Sequence, residues 1–172
     1  MRARCLSLLL SSCVLAFFIS PAWGQENAMP EISFLCQSDR DVPLTVAQNK
    51  AGQTENIFVW QEDILEGKTP NSAEQLCHDV AHKLDEYSHD DEANLSSFYL
   101  SASIIAVIPI ICAGSGRNCL QVLFSLNINE EDRTIGSQVL DSIVAPNIKN
   151  NQQRNMRDVQ FLGYKVDLFS DK

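Results

Sequence analysis

The sequence predicts a single α+β domain: an antiparallel sheet with one main packed helix and a second short helix, tied by two disulfides. With 172 residues, the chain has room for one domain and short appendages, which excludes a multi-domain machine. Hydrophobic residues make up 45% of it, a typical value for a globular chain and too high for a disordered one. Short runs of alternating apolar and polar residues flank one long run with helical spacing.

The first 24 residues have the three-part layout of a secretory signal peptide. Two arginines supply a positive start, an apolar run extends to Ile19, and small residues precede a cleavage site between Gly24 and Gln25. One alternative is a retained membrane anchor, for which the run is short. A second alternative is a lipoprotein attached at Cys13, although the apolar run continues past that residue.

Removal of the signal leaves a linker (residues 25–30), a domain (residues 31–145) and a polar, mildly basic tail (residues 146–172). The net charge of −9 becomes −11 because two arginines leave with the signal. An acidic chain of this kind is no nucleic-acid binder, since binding to phosphates requires a basic surface. We expect the protein to be exported, either periplasmic or peripheral at the cell envelope.

Three short extended segments open the domain and predict a β-meander. Residues 31–36 alternate apolar and polar side chains, residues 44–46 resume an extended run, and residues 56–60 form a third strand. Turn residues separate them, with Asp39 to Pro43 in the first gap and Asn49 to Gly52 in the second.

A helix is predicted to follow and to end near Ser88. Its start has two candidate caps: Thr69 followed by Pro70, or Ser72 in a capping box with Gln75. Apolar residues recur every three or four positions and form one face, which we expect to pack on the sheet. These residues are Ala73, Leu76, Cys77, Val80, Leu84 and Tyr87.

The second half of the domain is predicted to contain two more strands and a short helix. Residues 98–100 lead into a β-branched run at 104–112, which we expect to be one buried strand with Pro109 near an edge or bulge. A glycine-rich turn precedes the last strand, residues 119–126. The short helix covers residues 135–144 and turns Val139, Leu140 and Ile143 inward.

The tail, residues 146–172, permits two interpretations. Its alternating residues from Val159 to Leu168 could form an add-on strand around Gly163, docked on the acidic body of the same molecule. Alternatively, the tail is a partner-binding or membrane-surface segment that becomes ordered on contact.

Four cysteines remain after signal removal and predict two disulfides, for which three connectivities are possible. They are Cys36, Cys77, Cys112 and Cys119. A four-thiolate zinc site is disfavoured, because such sites use close cysteine pairs and the nearest pair here is separated by six residues.

Several short motifs occur in a fixed order between Ile32 and Ile143, and together they resemble the cyanobacterial circadian oscillating protein domain. The motifs are Phe34-Leu35-Cys36, Val42-Pro43-Leu44-Thr45, Trp60, Gly67-x-Thr69-Pro70, Cys77-x-x-Val80, Ile110-Ile111-Cys112, Cys119 and Leu123-Phe124-Ser125-Leu126. Leu44, Leu76 and Ser125 depart from the family pattern. The resemblance implies an exported protein that associates peripherally with membranes and for which no catalytic residues are established.

Within this framework, our hypothesis for the connectivity is Cys36 with Cys77 and Cys112 with Cys119. The first pair would join the first strand to the helix, and the second would close a hairpin.

The sharpest candidate for chemistry is the pair His78 and His82, which lie four residues apart on the predicted helix. Such a pair can chelate one metal ion, and with Asp79 the pattern is similar to the zinc-protease motif H-E-x-x-H. We expect both histidines, with Asp85 and His89, on the solvent-facing side of the helix, where a third ligand and a dry pocket are missing. We therefore predict a solvated helix face, no catalytic residues and no cofactor.

The leading functional hypothesis is a non-enzymatic binding or structural protein of the cell envelope. Its partner would be an unknown envelope protein or ligand, with peripheral membrane contact and no transmembrane span in the mature chain. The alternative is a small metal- or ligand-binding enzyme that uses the helix face of His78 and His82.

Overall fold

A computed structural model describes residues 32–39, 41–89, 97–116, 118–127, 134–151 and 163–169. The predicted signal peptide, its cleavage site at Gly24 and Gln25, and the linker lie outside the described residues.

The first three strands form the predicted meander. Strands β1 (Ile32–Gln37), β2 (Leu44–Asn49) and β3 (Thr54–Val59) pair antiparallel in the order β1-β2-β3. In the turn between β2 and β3, the Asn49 side-chain oxygen accepts hydrogen bonds from the backbone N–H groups of Ala51 and Gln53, each at 3.0 Å. This side-chain bonding explains why the chain reverses here.

Two helices follow the meander. The short helix α1 (Glu62–Leu65) was not predicted, and the main helix α2 (Ala73–Ser88) ends where expected. Of the two candidate caps for α2, the structure has Ser72, whose side chain accepts a hydrogen bond from the Gln75 N–H at 3.2 Å. A Glu62 carboxylate oxygen accepts from the Ala73 N–H at 2.8 Å, so α1 satisfies a second free donor of α2.

The remaining strands form a second sheet. Strands β4 (Ser97–Ile105), β5 (Ile108–Gly114), β6 (Gln121–Ser125) and β7 (Gly163–Asp167) pair antiparallel in the order β6-β5-β4-β7. The predicted α+β class is therefore confirmed, but the strands are divided between two sheets. Helix α2 lies against β1 and β2 of one sheet and β6 of the other, which connects the two sheets. The Lys83 ammonium on α2 donates to the Leu123 carbonyl oxygen of β6 at 2.6 Å.

The apolar run at residues 104–112 was wrongly predicted as one strand. Ala106 and Val107 have φ angles of 47° and 70°, so the chain turns there and Ile105 pairs with Ile108. Pro109 lies in β5, an interior strand of the sheet. Its carbonyl accepts from the Leu126 N–H at 2.8 Å, directly after β6 ends, so the missing proline N–H faces the end of that strand.

The C-terminal region contributes to the same body. Helix α3 (Ile135–Ile143) buries Val139, Leu140 and Ile143 as predicted, and helix α4 (Pro146–Asn151) follows it. Strand β7 pairs with β4 from Ser97–Asp167 to Ser101–Gly163. Part of the predicted tail is therefore an edge strand of the second sheet, in agreement with the docked interpretation. The alternating residues Val159 and Phe161 lie outside the described residues.

Aromatic side chains fill the space between the two sheets. The rings of Phe34 on β1 and Phe98 on β4 meet edge to face with centroids 6.1 Å apart. Trp60 and Phe124 make a similar contact at 5.6 Å. These contacts place one continuous core between the sheets and α2.

Candidate functional site

The first disulfide joins strand β1 to helix α2. Cys36 and Cys77 are bonded with their Cα atoms 5.4 Å apart, and Cys77 is fully buried. The apolar spacing that turns Cys77 inward therefore also aligns it with the strand on which the helix packs. The structure contains the pair that we had hypothesised.

Three motif residues meet beside this disulfide. The indole N–H of Trp60 donates to the Thr45 hydroxyl at 2.8 Å, and that hydroxyl donates to the Cys77 carbonyl oxygen at 3.4 Å. Thr45 and Trp60 are both buried, so these bonds satisfy polar groups that water does not reach. Pro43 adds a backbone bond, since its carbonyl accepts from the Trp60 N–H at 3.0 Å. The motif residues thus form a packing node, defined here as Cys36, Thr45, Trp60 and Cys77.

The second disulfide, Cys112–Cys119, closes the loop between β5 and β6, as hypothesised. The loop is tight because an ideal Cβ at Gly114 would lie 1.9 Å from the Asn118 carbonyl oxygen. Only glycine fits there without a shift of the backbone. The Gly-Ser-Gly sequence therefore has a structural reason in this loop.

The histidine pair lies on the outer side of α2. His78 and His82 are both exposed, and the His82 Nδ1 atom is 3.6 Å from a Glu86 carboxylate oxygen that is also exposed. Asp85, expected on the same side, instead faces β1 and accepts a hydrogen bond from the Phe34 N–H at 3.1 Å. Within the described ranges, no three His, Cys, Asp or Glu side chains are grouped so that they could hold a metal ion.

A broad depression of about 710 Å³ lies between the β1–β2 loop and the start of α2. Acidic side chains dominate its polar lining, including Asp41, Asp63 and Glu74. Glu62 also lines it, but this carboxylate already accepts the Ala73 N–H. The depression is thus an acidic surface beside a helix N-terminus, where negative charge is favourable for the helix dipole.

The most unusual surface is the end of the β4–β5 hairpin, residues 104–108, which we call the hairpin tip. All five residues are exposed, and Val107 is 87% exposed. This surface was not predicted from the sequence, because the turn contains neither glycine nor asparagine, the usual signals for a two-residue hairpin. One usable signal was the absence of charge, since no Asp, Glu, Lys or Arg occurs from Ala93 to Gly116.

Among the helices that the structure describes, none has the length and apolar character needed to cross a membrane.

Comparison with known protein families gives a match over most of the chain. The model of the family described as circadian oscillating protein COP23 matches residues 33–169, which is most of the chain. Neither the curated proteins nor the solved structures contain a match. The matched range begins in β1 and ends just after β7, so it includes the packing node, both disulfides and the docked edge strand. The resemblance seen in the motifs is therefore confirmed, and the chain belongs to the circadian oscillating protein COP23 family.

Proposed function

We propose that this chain is an exported, non-enzymatic protein of the cell envelope, with a binding or structural role and peripheral contact with a membrane. The observation that carries the proposal is the pair of disulfides, Cys36–Cys77 and Cys112–Cys119. Disulfides form and persist in oxidising compartments such as the bacterial periplasm and are rare in the cytosol. The signal-like first 24 residues supply a route to such a compartment.

The use of the motif residues supports a role without catalysis. Thr45, Trp60 and the four cysteines serve packing and cross-linking, and the motif residues Leu123 and Phe124 are buried in the core. The metal- or ligand-binding enzyme built on His78 and His82 stays an alternative prediction from the sequence, and no contact described for these histidines favours it.

Peripheral contact would have to overcome the charge of the protein. A mature chain with a net charge of −11 is repelled by anionic lipid headgroups. An uncharged apolar surface is therefore a better membrane contact for this protein than a general electrostatic attraction.

The test is to isolate the native protein from its host, separate periplasm, membranes and cytosol, and determine the N-terminus. We expect an N-terminus at Gln25, material in the envelope fractions, and unreduced peptides that link Cys36 to Cys77 and Cys112 to Cys119. Native, folded protein with four alkylatable thiols in the cytosolic fraction would contradict the proposal. An N-terminus at Cys13 would show a lipoprotein instead.

A further inference from the structure

We propose that the hairpin tip, residues 104–108, inserts into the interface of a membrane made of uncharged or zwitterionic lipids. The inference deepens the proposed function and rests on its peripheral membrane contact, because it names the part of the protein that makes that contact and the lipid class that it meets.

The tip combines aliphatic side chains with exposure. Ile104, Ile105, Val107 and Ile108 are 41%, 52%, 87% and 49% exposed, and they flank or form a single two-residue turn. Large apolar side chains that cluster at the end of a hairpin stay in contact with water unless another apolar phase covers them. The acyl-chain side of a membrane interface is such a phase.

The reach of the tip fits shallow insertion. The hairpin is supported from the core side by α3, where an ideal Cβ at Gly136 would lie 3.5 Å from the Ala102 Cβ atom and 3.6 Å from the Pro109 Cβ atom. Beyond Pro109 the hairpin continues for about two residues per strand, or about 7 Å at the usual rise of a strand. Amphipathic elements that lie in a membrane interface are buried to a depth of about 5–10 Å.

Desolvation of the tip costs little. The chain carries no charged residue from Ala93 to Gly116, so no ion enters the interface with the hairpin. Ile105 pairs with Ile108 directly beside the turn, and the Pro109 carbonyl accepts from the Leu126 N–H, so part of the hairpin backbone is satisfied within the sheet. The peptide groups of Ala106 and Val107 remain for water and headgroups, which favours the interface over the hydrocarbon centre.

The lipid class follows from charge. Because the tip has no cation and the mature chain has a net charge of −11, anionic lipids offer no attraction and add repulsion.

The backbone supports a functional reason for the tip, since Ala106 and Val107 hold left-handed φ angles of 47° and 70° that glycine or asparagine would adopt more readily.

A second copy of the chain is a poorer occupant. The hairpin tip has five residues, whereas a stable dimer buries about 800 Å² and about 20–30 residues on each partner.

The experiment is vesicle flotation with the protein purified from cells that express the full gene, its N-terminus defined by mass. We expect binding to phosphatidylcholine vesicles that persists in high salt, and weaker binding when anionic phosphatidylglycerol is added. Val107→Asp should lower the partition coefficient at least about tenfold, because it replaces the apolar side chain that the membrane would bury by a carboxylate. The mass shows whether the signal peptide has been removed. Failure of export and failure of lipid binding are therefore distinguished by two different measurements.

Two further variants keep the test sharp. Ala106→Asn with Val107→Gly preserves the turn while removing the exposed valine, and we expect weaker binding with an intact fold. Leu120→Asp is the matched control, since Leu120 is 45% exposed but lies at the other end of β5, beyond the second disulfide. Equal loss with Leu120→Asp, no vesicle binding by the wild type, or a dimer that Val107→Asp dissociates would each overturn the proposal.

Discussion

Thr45 is the residue on which the packing node depends. Its hydroxyl accepts from the Trp60 indole and donates to the Cys77 carbonyl, so one small side chain links the meander to α2. Thr45 lies at the bulge between Thr45 and Val46 in the pairing of β2 with β3, and it is fully buried. A buried polar group without a partner costs more free energy than a satisfied one contributes.

We predict that Thr45→Val lowers the free energy of unfolding by about 1–3 kcal/mol, because it leaves the Trp60 N–H without its acceptor at nearly constant volume. Chemical denaturation of the oxidised protein measures the change. In a Trp60→Phe background, the donor is already absent and the same substitution should cost less. An equal cost in both backgrounds would contradict the role of this hydrogen bond.

At this scale, the sequence could predict residue types better than residue contacts. The use of four cysteines in two disulfides follows from their number in a chain predicted to be exported, and the inward face of α2 follows from its apolar spacing. The bond between Thr45 and Trp60 does not, because it joins residues on two strands through a register that local patterns do not determine. For the same reason, Asp85 was expected beside His78 and His82 and in fact faces β1.

At the scale of elements, the β4–β5 hairpin differs most from expectation. Its β-branched run predicted a single strand because the turn lacks the residues that usually mark one. The helices were easier to predict, since α2 has both a side-chain cap at Ser72 and a long apolar period. Helix α1 has four residues, with only Leu65 buried, and so leaves almost no periodic signal.

Replacement of Ala106-Val107 by Asn-Gly should raise the free energy of unfolding by about 1 kcal/mol, because these residues tolerate the left-handed φ angles that the turn requires. Chemical denaturation measures this change as a higher denaturant midpoint, with an unchanged dependence of the free energy of unfolding on denaturant concentration. Val122→Gly is the matched control: Val122 lies in the extended strand β6, where the same change to glycine should destabilise. Destabilisation by both variants would contradict the account of the turn.

At the scale of the whole molecule, strand β7 completes the second sheet from the far end of the chain. Its Tyr164, Val166 and Leu168 are buried, and the Tyr164 hydroxyl donates to an Asp141 carboxylate oxygen on α3. On the exposed side, a hydrogen bond to Asp167 raises the pKa of the Lys165 ammonium above its ordinary value. The alternation of β7 was visible in the sequence, but its partner β4 lies more than 60 residues away and could not be inferred from local pattern.

Tyr164→Ala should lower the free energy of unfolding by about 3–5 kcal/mol, the usual cost of removing a large buried aromatic side chain. Thermal unfolding of the oxidised protein measures the loss. Lys165→Ala, one position along the same strand, removes an exposed side chain and should leave the free energy of unfolding close to that of the wild type. Similar values for both variants would indicate that β7 does not dock on β4 in solution.

The hydrogen bond from Lys83 on α2 to β6 affects how an outer strand of the second sheet can pair with a neighbouring molecule. An unpaired outer strand is a template for annealing with a neighbouring molecule, and natural sheets commonly guard such strands with lysine or a bulge. Both devices coincide here, because Lys83 occupies the Leu123 carbonyl where the pairing of β5 with β6 shifts register. The β6 side of the second sheet is therefore less open to pairing with a strand of a neighbouring molecule at Leu123.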